Sequence, residues 1–360
     1  WLSGISSEQH LYSLRDGNFA LTFLGGLDKE TREAADAILE RFGEDWSLGD
    51  SSFRLDVVVS IIRVPEDVST LDDLMVLLTS GYNKTGIGSG IVSFEELSAY
   101  RYEQRIELIL RDAVKSGKLQ VWYQPIWSIK KDCPVAAEAI LQVDCEELRG
   151  VSPDIFYPIA EKCGMIREMG IFVFEEVCRF IQSGQMERLG LSYMELDVSV
   201  YQFVFDDVVE RFETIRTKYG VSAHAINLEV TESAAFGDTP VVRQTMEALQ
   251  ALGYHISLKG FGVGYSNLHN LVHSNFMNIK MDKILLWDAR RSKASELLLD
   301  SLYFATNRLG CYVVQDGVDT LQQLQWIKDR GASMASGLYF SRPLEEGAFL
   351  SYMESERERA

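Results

Sequence analysis

From about residue 100 to the C-terminus, two periodicities alternate along the chain. Short runs rich in β-branched and aromatic residues are followed by longer stretches with apolar positions at helical spacing. The short runs are 118–126 (KLQVWYQPI), 135–143 (VAAEAILQV), 192–200 (SYMELDVSV), 226–233 (INLEVTES), 255–261 (HISLKGF), 276–283 (FMNIKMDK), 311–318 (CYVVQDGV) and 332–340 (ASMASGLYF). Between them lie FVFEEVCRFIQSG, FDDVVERFETIRTKYG and TPVVRQTMEALQALG; the last two end on Gly220 and Gly253, the residue type that stops helices. Eight strands alternating with helices predict a (β/α)8 barrel over residues 101–355, and a doubly wound sheet would give a similar pattern. Only KKDCP separates the first two runs, so those strands should be antiparallel neighbours. Residues 1–100 read differently. Strands are expected at 19–24, 53–64 and 90–94 and helices at 28–42 and 70–80, a small α+β domain, with a connecting helix from Arg101 to Lys115.

Composition narrows the function classes. With 46% apolar and 24% charged residues, the 360-residue chain has the make-up of a folded globular protein. Its 35 basic and 53 acidic residues give a net charge of −18, a field that repels nucleic-acid polymers and anionic membranes alike. Five scattered cysteines without a CxxC pair read as reduced thiols, which predicts a cytoplasmic protein. No apolar run reaches 18 residues, so membrane attachment is expected only through a segment upstream of Trp1.

The candidate chemistry lies at the strand ends, where Glu138, Asp197, Glu229, Lys280 and Asp316 each follow or close an apolar run. In a barrel such ends converge on one mouth, and four carboxylates with a lysine suit divalent-metal phosphodiester hydrolysis. Taken singly, each acid reads more readily as a helix cap or a solvated loop residue.

The wording of these segments resembles the EAL family of cyclic-di-GMP phosphodiesterases. YQPI (123–126), AEAILQ (137–142), LDVS (196–199), LEVTES (228–233), IKMD (279–282), VVQDGVDT (313–320) and SGLYFSRPL (336–344) stand in the family's order. The resemblance implies the (β/α)8 fold with an antiparallel first strand. It also implies ligand-facing positions at Gln124, Glu138, Ile140, Gln142, Asp197, Ser199, Glu229, Glu232, Lys259, Lys280, Asp316 and Ser336. Residues 1–100 look like the later part of a GGDEF domain, with LRDGNFAL (14–21) at the signature hairpin.

The departures are concentrated in the chemistry. In ISLKGFGVGYSNL (256–268), Lys259 and Gly260 stand where the family has the two aspartates that anchor its metals. Gln142 replaces an arginine expected at the substrate phosphate, Asp197 an asparagine, Asp316 a glutamate and Ser336 a glutamine. Arg15, Asp16, Gly17, Asn18 and Phe19 replace the GGDEF signature. Glu138, Glu229 and Lys280 then become vestigial catalytic residues, and Glu138, Asp197, Glu229 and Asp316 a vestigial metal set. No cofactor is expected, with Mg²⁺ or Mn²⁺ required only for residual phosphodiesterase activity.

Three functions remain open. One is a non-enzymatic regulator in cyclic-di-GMP signalling that binds a partner protein; another is a cyclic-di-GMP receptor that does not hydrolyse it; the third is a residual phosphodiesterase. Homodimers are a further mode of assembly that the resemblance implies. Lys259 either joins Lys280 in an ion-pair network among the acids or extends into solvent. His269 and His273, four apart, lack a third ligand, and GIGSG (86–90) lacks the context of a dinucleotide loop. Tyr123, Phe203, Phe261 and Tyr265 read as core rather than as base-stacking groups.

Overall fold

A computed structural model describes the chain except residues 1–9, 15–17, 24–27, 49–50, 80–89, 93, 149–150, 238, 264–270, 272–273 and 360. Two compact units divide it, Trp1–Ile106 and Glu107–Ala360. In the first, β1 (His10–Ser13) and β2 (Phe19–Thr22) form an antiparallel hairpin closed by Leu14 N–H donating to Asn18 O, 2.8 Å. The hairpin tip, Arg15 to Gly17, and most of GIGSG lie outside the described residues. Helix Asp28–Gly43 follows, then the antiparallel pair β3 (Trp46–Leu48) and β4 (Ser51–Phe53). β5 (Val58–Ser60) runs parallel to β6 (Gly90–Val92), and helix Leu71–Thr79 lies between them in sequence. The connecting helix expected at Arg101–Lys115 extends from Phe94 to Ser116.

The second unit is the eight-stranded barrel that the alternation predicts. Its strands are β7 (Leu119–Ser128), β8 (Cys133–Val143), β9 (Tyr193–Asp197), β10 (Ile226–Thr231), β11 (His255–Phe261), β12 (Asn278–Met281), β13 (Tyr312–Gln315) and β14 (Met334–Ala335). They neighbour one another in sequence order, and β14 pairs back onto β7 to close the ring. β7 is antiparallel to both β8 and β14; all other neighbours are parallel. A short β15 (Leu344–Glu345) adds to β7 beside Tyr123 and Trp122.

Side-chain alternation sorts the strands into an interior and a helix-facing side. Ile126, Ala136, Tyr193, Val314 and Met334 pack one interior layer. The next residues on the same faces are polar: Glu138, Glu195, Asn227, Glu229, Ser257, Asn278 and Lys280 are all buried. Outer positions such as Leu196, Leu228, Leu258 and Ile279 are also buried, as expected where helices cover a parallel sheet. The helices stop as their sequences direct. Val208–Tyr219 is capped by Gly220 at φ 64°, and Pro240–Ala251 ends before Gly253 at φ 97°. Tyr123, Phe203 and Phe261 are core residues; Tyr265 lies outside the described residues.

Candidate functional site

The site begins with the backbone of β11. Its register with β12 slips between Leu258 and Phe261, a β-bulge at Lys259–Gly260, where Gly260 takes φ 67°. A bulge turns the strand locally, and the left-handed conformation is one glycine adopts without strain. Up to Lys259 the register with β10 is regular, so Ser257 and Lys259 share the interior face by strand alternation, and Lys259 enters the mouth rather than extending outward. Register does the rest. Glu138 sits opposite Glu195, and Asp197 opposite Glu229, so acids distant in sequence meet inside the ring. Glu138 lies in the middle of an eleven-residue strand rather than at its end, because β8 runs on with β7 past the interior cluster.

Two ammoniums hold this cluster. Lys280 Nζ donates to Glu195 Oε1 at 2.6 Å, Glu229 Oε2 at 2.8 Å and Glu138 Oε2 at 3.0 Å, which commits all three of its protons. Lys259 Nζ contacts both Asp197 oxygens at 2.8 and 3.0 Å, Glu138 Oε1 at 3.4 Å and Glu229 Oε2 at 4.0 Å. Lys280 is 3% exposed, whereas Lys259 is 29% and Asp197 25% exposed. The first is a dry tripod and the second a lid on it. Below the tripod, Asn227 Nδ2 donates to Glu195 Oε2 at 2.6 Å and Ser257 Oγ to Asn227 Oδ1 at 2.9 Å, while Asn278 Nδ2 reaches Tyr193 Oη at 2.8 Å.

Proton affinities follow from this geometry. Burial pushes the Glu138 carboxyl up, but the Lys280 and Lys259 ammoniums outweigh it and hold the group down at about 2. Glu195 is raised, because burial and the neighbouring Glu138 carboxylate outweigh Lys280. Glu229 is raised well above the usual range by burial and by Glu195, and its Oε1 has no hydrogen-bond partner. Burial favours neutral lysines, yet Asp197, Glu138 and Glu229 keep Lys259 well above its ordinary value, and Glu138, Glu195 and Glu229 do so for Lys280.

The other expected positions disperse. Asp316 turns from the cluster to accept from Ser336 Oγ at 3.0 Å. Ser199 caps helix Val200–Phe203 and donates to Glu161 Oε1 at 2.6 Å. Glu232 is buried and accepts from Gly262 N–H, 3.1 Å, which ties down the turn after β11. Gln124 donates to Ser341 O at 2.9 Å. Ile140 and Gln142 lie half-buried on β8, opposite Trp122 and Gln120. His269 and His273 fall outside the described residues. Glu195 is the functional residue that sequence reading overlooks: fully buried and the shortest contact of Lys280.

The EAL domain description matches residues 107–343, two thirds of the chain and all eight barrel strands. The chain belongs to the EAL family. Relatives extend beyond the EAL domain itself. The signaling protein YkoW of Bacillus subtilis (strain 168) is 24% identical over 364 residues, covering 98% of this chain and 44% of its own length. MucR of Pseudomonas aeruginosa, described as a bifunctional diguanylate cyclase/cyclic di-GMP phosphodiesterase, is 25% identical over 329 residues, 88% of this chain and 47% of its own. This chain thus spans about half the length of those relatives. Among solved structures, the MucR phosphodiesterase in complex with c-di-GMP superposes at a TM-score of 0.64 with 25% identity, covering 68% of this chain and 99% of that one. The EAL enzyme Bd1971, in a form bound to cAMP and cyclic-di-GMP, gives 0.66 with 23% identity over 71% of this chain and 69% of its own, a likeness of fold alone.

EAL domains usually use Mg²⁺ or Mn²⁺, and the buried Glu138 and Glu229 form with the partly exposed Asp197 an acidic triad with oxygens all within 4.8 Å of one another. The donor set alone suits a hard cation. The residues around it do not, because the Lys259 ammonium already lies among those oxygens. At an effective dielectric near 20, two unit charges 4 Å apart repel by about 4 kcal/mol, and a divalent ion would meet about twice that.

Proposed function

We propose that this chain is a non-hydrolysing EAL protein that acts in cyclic-di-GMP signalling by binding a partner protein. The observation that carries this reading is the Lys259 ammonium seated among Glu138, Asp197 and Glu229, with Gly260 beside it offering no ligand. Hydrolysis of a phosphodiester in this family calls for metal ions that activate water and offset phosphoryl charge, and Lys259 and Gly260 offer no anionic ligand to hold them. The cluster also disfavours the substrate itself. Glu138, Asp197, Glu195 and Glu229 outnumber the Lys259 and Lys280 ammoniums, so the cluster offers a phosphodiester no net positive charge. With Gln142 in place of the resembled arginine, that side of the mouth has no guanidinium to compensate. The protein would use the EAL scaffold as an interaction surface, alone or as a homodimer, in the cytoplasm. We further infer that residues 1–100 are the later part of a degenerate GGDEF-like domain. The β1–β2 hairpin at 10–22 and the alignment of MucR, described as a bifunctional diguanylate cyclase/cyclic di-GMP phosphodiesterase, over 88% of this chain support that assignment.

Two measurements test the reading. Incubation with cyclic-di-GMP and Mg²⁺ or Mn²⁺ is expected to yield no linear or mononucleotide product; stoichiometric turnover would end the proposal. Calorimetric titration with cyclic-di-GMP is expected to give binding weaker than about 100 μM, on the order of 5.5 kcal/mol. Micromolar binding without turnover would make the chain a receptor instead.

A further inference from the structure

Away from the mouth, helix Lys293–Arg308 buries Leu299, Leu302, Tyr303 and Thr306 against the barrel. Its outer side is not the polar surface that such a helix usually shows. Leu297, Leu298 and Phe304 are 57%, 51% and 66% exposed, and Leu297, Ser301, Phe304 and Arg308 follow one another at helical spacing. Phe304 and Arg308 also line an open cleft of about 780 Å³ with Asp300, Asn307, Asp329 and Arg330. An apolar row that opens into a cleft is the form of a protein docking site, where a partner side chain fills the cleft and excludes water.

The charge around this row is the reverse of that of the whole chain. Between 283 and 308, Lys283, Arg290, Arg291, Lys293 and Arg308 outnumber three acids, while the chain carries −18. Two of those acids, Glu296 and Asp300, are held by Arg330 at 2.6 and 3.1 Å. Among the described residues no carboxylate pairs with Arg290, Arg291 or Arg308, and Arg308 lies over the Phe304 ring at 5.3 Å instead. Arg290, Arg291 and Lys293 also stand at the positive end of the helix dipole, where cations are disfavoured. Carboxylates brought by a partner would relieve both.

We propose that the outer face of helix Lys293–Arg308 docks an acidic amphipathic helix of a partner protein. Its apolar stripe covers Leu297, Leu298 and Phe304, and its carboxylates meet Arg290, Arg291 and Arg308. The inference rests on the reading that the chain works by binding a partner, and it adds the face and the chemistry of that partner. A second copy of the chain suits this face less well. Two-fold symmetry sets the face against itself. Parallel helices then bring the two Arg290–Lys293 ends together, and antiparallel helices bring that end to Arg308, so cations meet cations either way. A helix whose apolar stripe is flanked by glutamates or aspartates meets opposite charge at both ends.

The test uses the whole chain and a fluorescein-labelled designed peptide of about 18 residues, with leucines at i, i+3, i+4 and i+7 spacing and glutamates elsewhere. In about 50 mM NaCl its anisotropy should rise with a half-point of about 10–100 μM, and about 500 mM NaCl should weaken binding by about fivefold or more. The overall charge of the chain repels this peptide, so binding reports the local surface. Phe304→Ser, and Arg290→Glu combined with Arg291→Glu, should each weaken it by about tenfold or more at unchanged Tm, because all three side chains are exposed. Leu298→Ser serves if Phe304→Ser is unfolded. No binding up to about 1 mM peptide, or binding that the variants retain, overturns the proposal. So does a wild-type dimer in sedimentation equilibrium that Leu298→Ser with Phe304→Ser renders monomeric, since a second copy then covers the face. The product assay separates this proposal from the reading it rests on. Turnover with peptide binding intact ends the non-hydrolysing reading and leaves the docking face standing; absent peptide binding without turnover ends the docking face alone.

Discussion

Replacing Lys280 with methionine is expected to lower the stability of the barrel by about 3–5 kcal/mol, the cost of stripping one partner from a buried ionic cluster. The reason is the asymmetry between making and breaking such contacts. Lys280 answers three carboxylates at 2.6, 2.8 and 3.0 Å in a setting that is 3% exposed. Its removal leaves Glu138, Glu195 and Glu229 facing one another without water to screen them. Lys259→Met should cost less, about 1–2 kcal/mol, because its side chain is 29% exposed and solvent shares in the compensation. Urea unfolding at neutral pH checks both. The explanation also predicts a rescue: Glu195→Leu added to Lys280→Met should recover part of the loss, since it deletes one of the stranded charges. A Lys280→Met protein within about 1 kcal/mol of the wild type would mean that the tripod is not a stability element.

Much of this was legible before any coordinates. The eight runs locate all eight barrel strands, because period-two alternation against a helix-covered sheet leaves little freedom in where strands fall. The antiparallel start follows from a linker too short for a crossover. At the site, the sequence puts a lysine and a glycine at 259 and 260, but composition cannot say which way a lysine points. Alternation along β11 puts Lys259 on the face of Ser257, and the carboxylates that hold its ammonium come from β8, β9 and β10, which only the closed ring brings together. Glu195 escapes notice for a different reason. The family's wording lies in LDVS, while the signal is the residue immediately before it. Tyr193, Glu195 and Asp197 share one face of β9, so an interior Asp197 requires an interior Glu195. Asp316 errs in the opposite direction. It follows β13 directly, but Val318 N–H donating to Ser336 O at 3.0 Å draws the two loops together, and Asp316 accepts from Ser336 while acting on Lys280 through its charge alone.

The three acids that share Lys280 should respond differently to neutralisation, and Glu138→Gln should be the costly one. Glu138 is held at about 2 against an ordinary 4.5 for a glutamate. A carboxyl depressed in the folded state stabilises above its unfolded value and loses that contribution as pH falls towards its folded one. The difference corresponds to roughly 3 kcal/mol near neutrality, so Glu138→Gln should lose about that at pH 7 and almost nothing at pH 2. Glu229 carries the reverse sign. Its affinity for protons is raised by burial and by Glu195, so its ionised form opposes folding, and stability is lost as pH rises above the unfolded value near 4.5. Glutamine imitates the protonated form, keeps an oxygen for Lys280 and removes that penalty. Glu229→Gln should therefore be near neutral or stabilising at pH 7, with a flatter stability profile above pH 4.5. Urea unfolding of the two variants from pH 2 to 8 reads both effects in one series. Equal losses at pH 7 would show that the two ammoniums divide their charge evenly among the acids, contrary to the arrangement in which Glu138 alone bridges Lys280 and Lys259 at hydrogen-bonding distance.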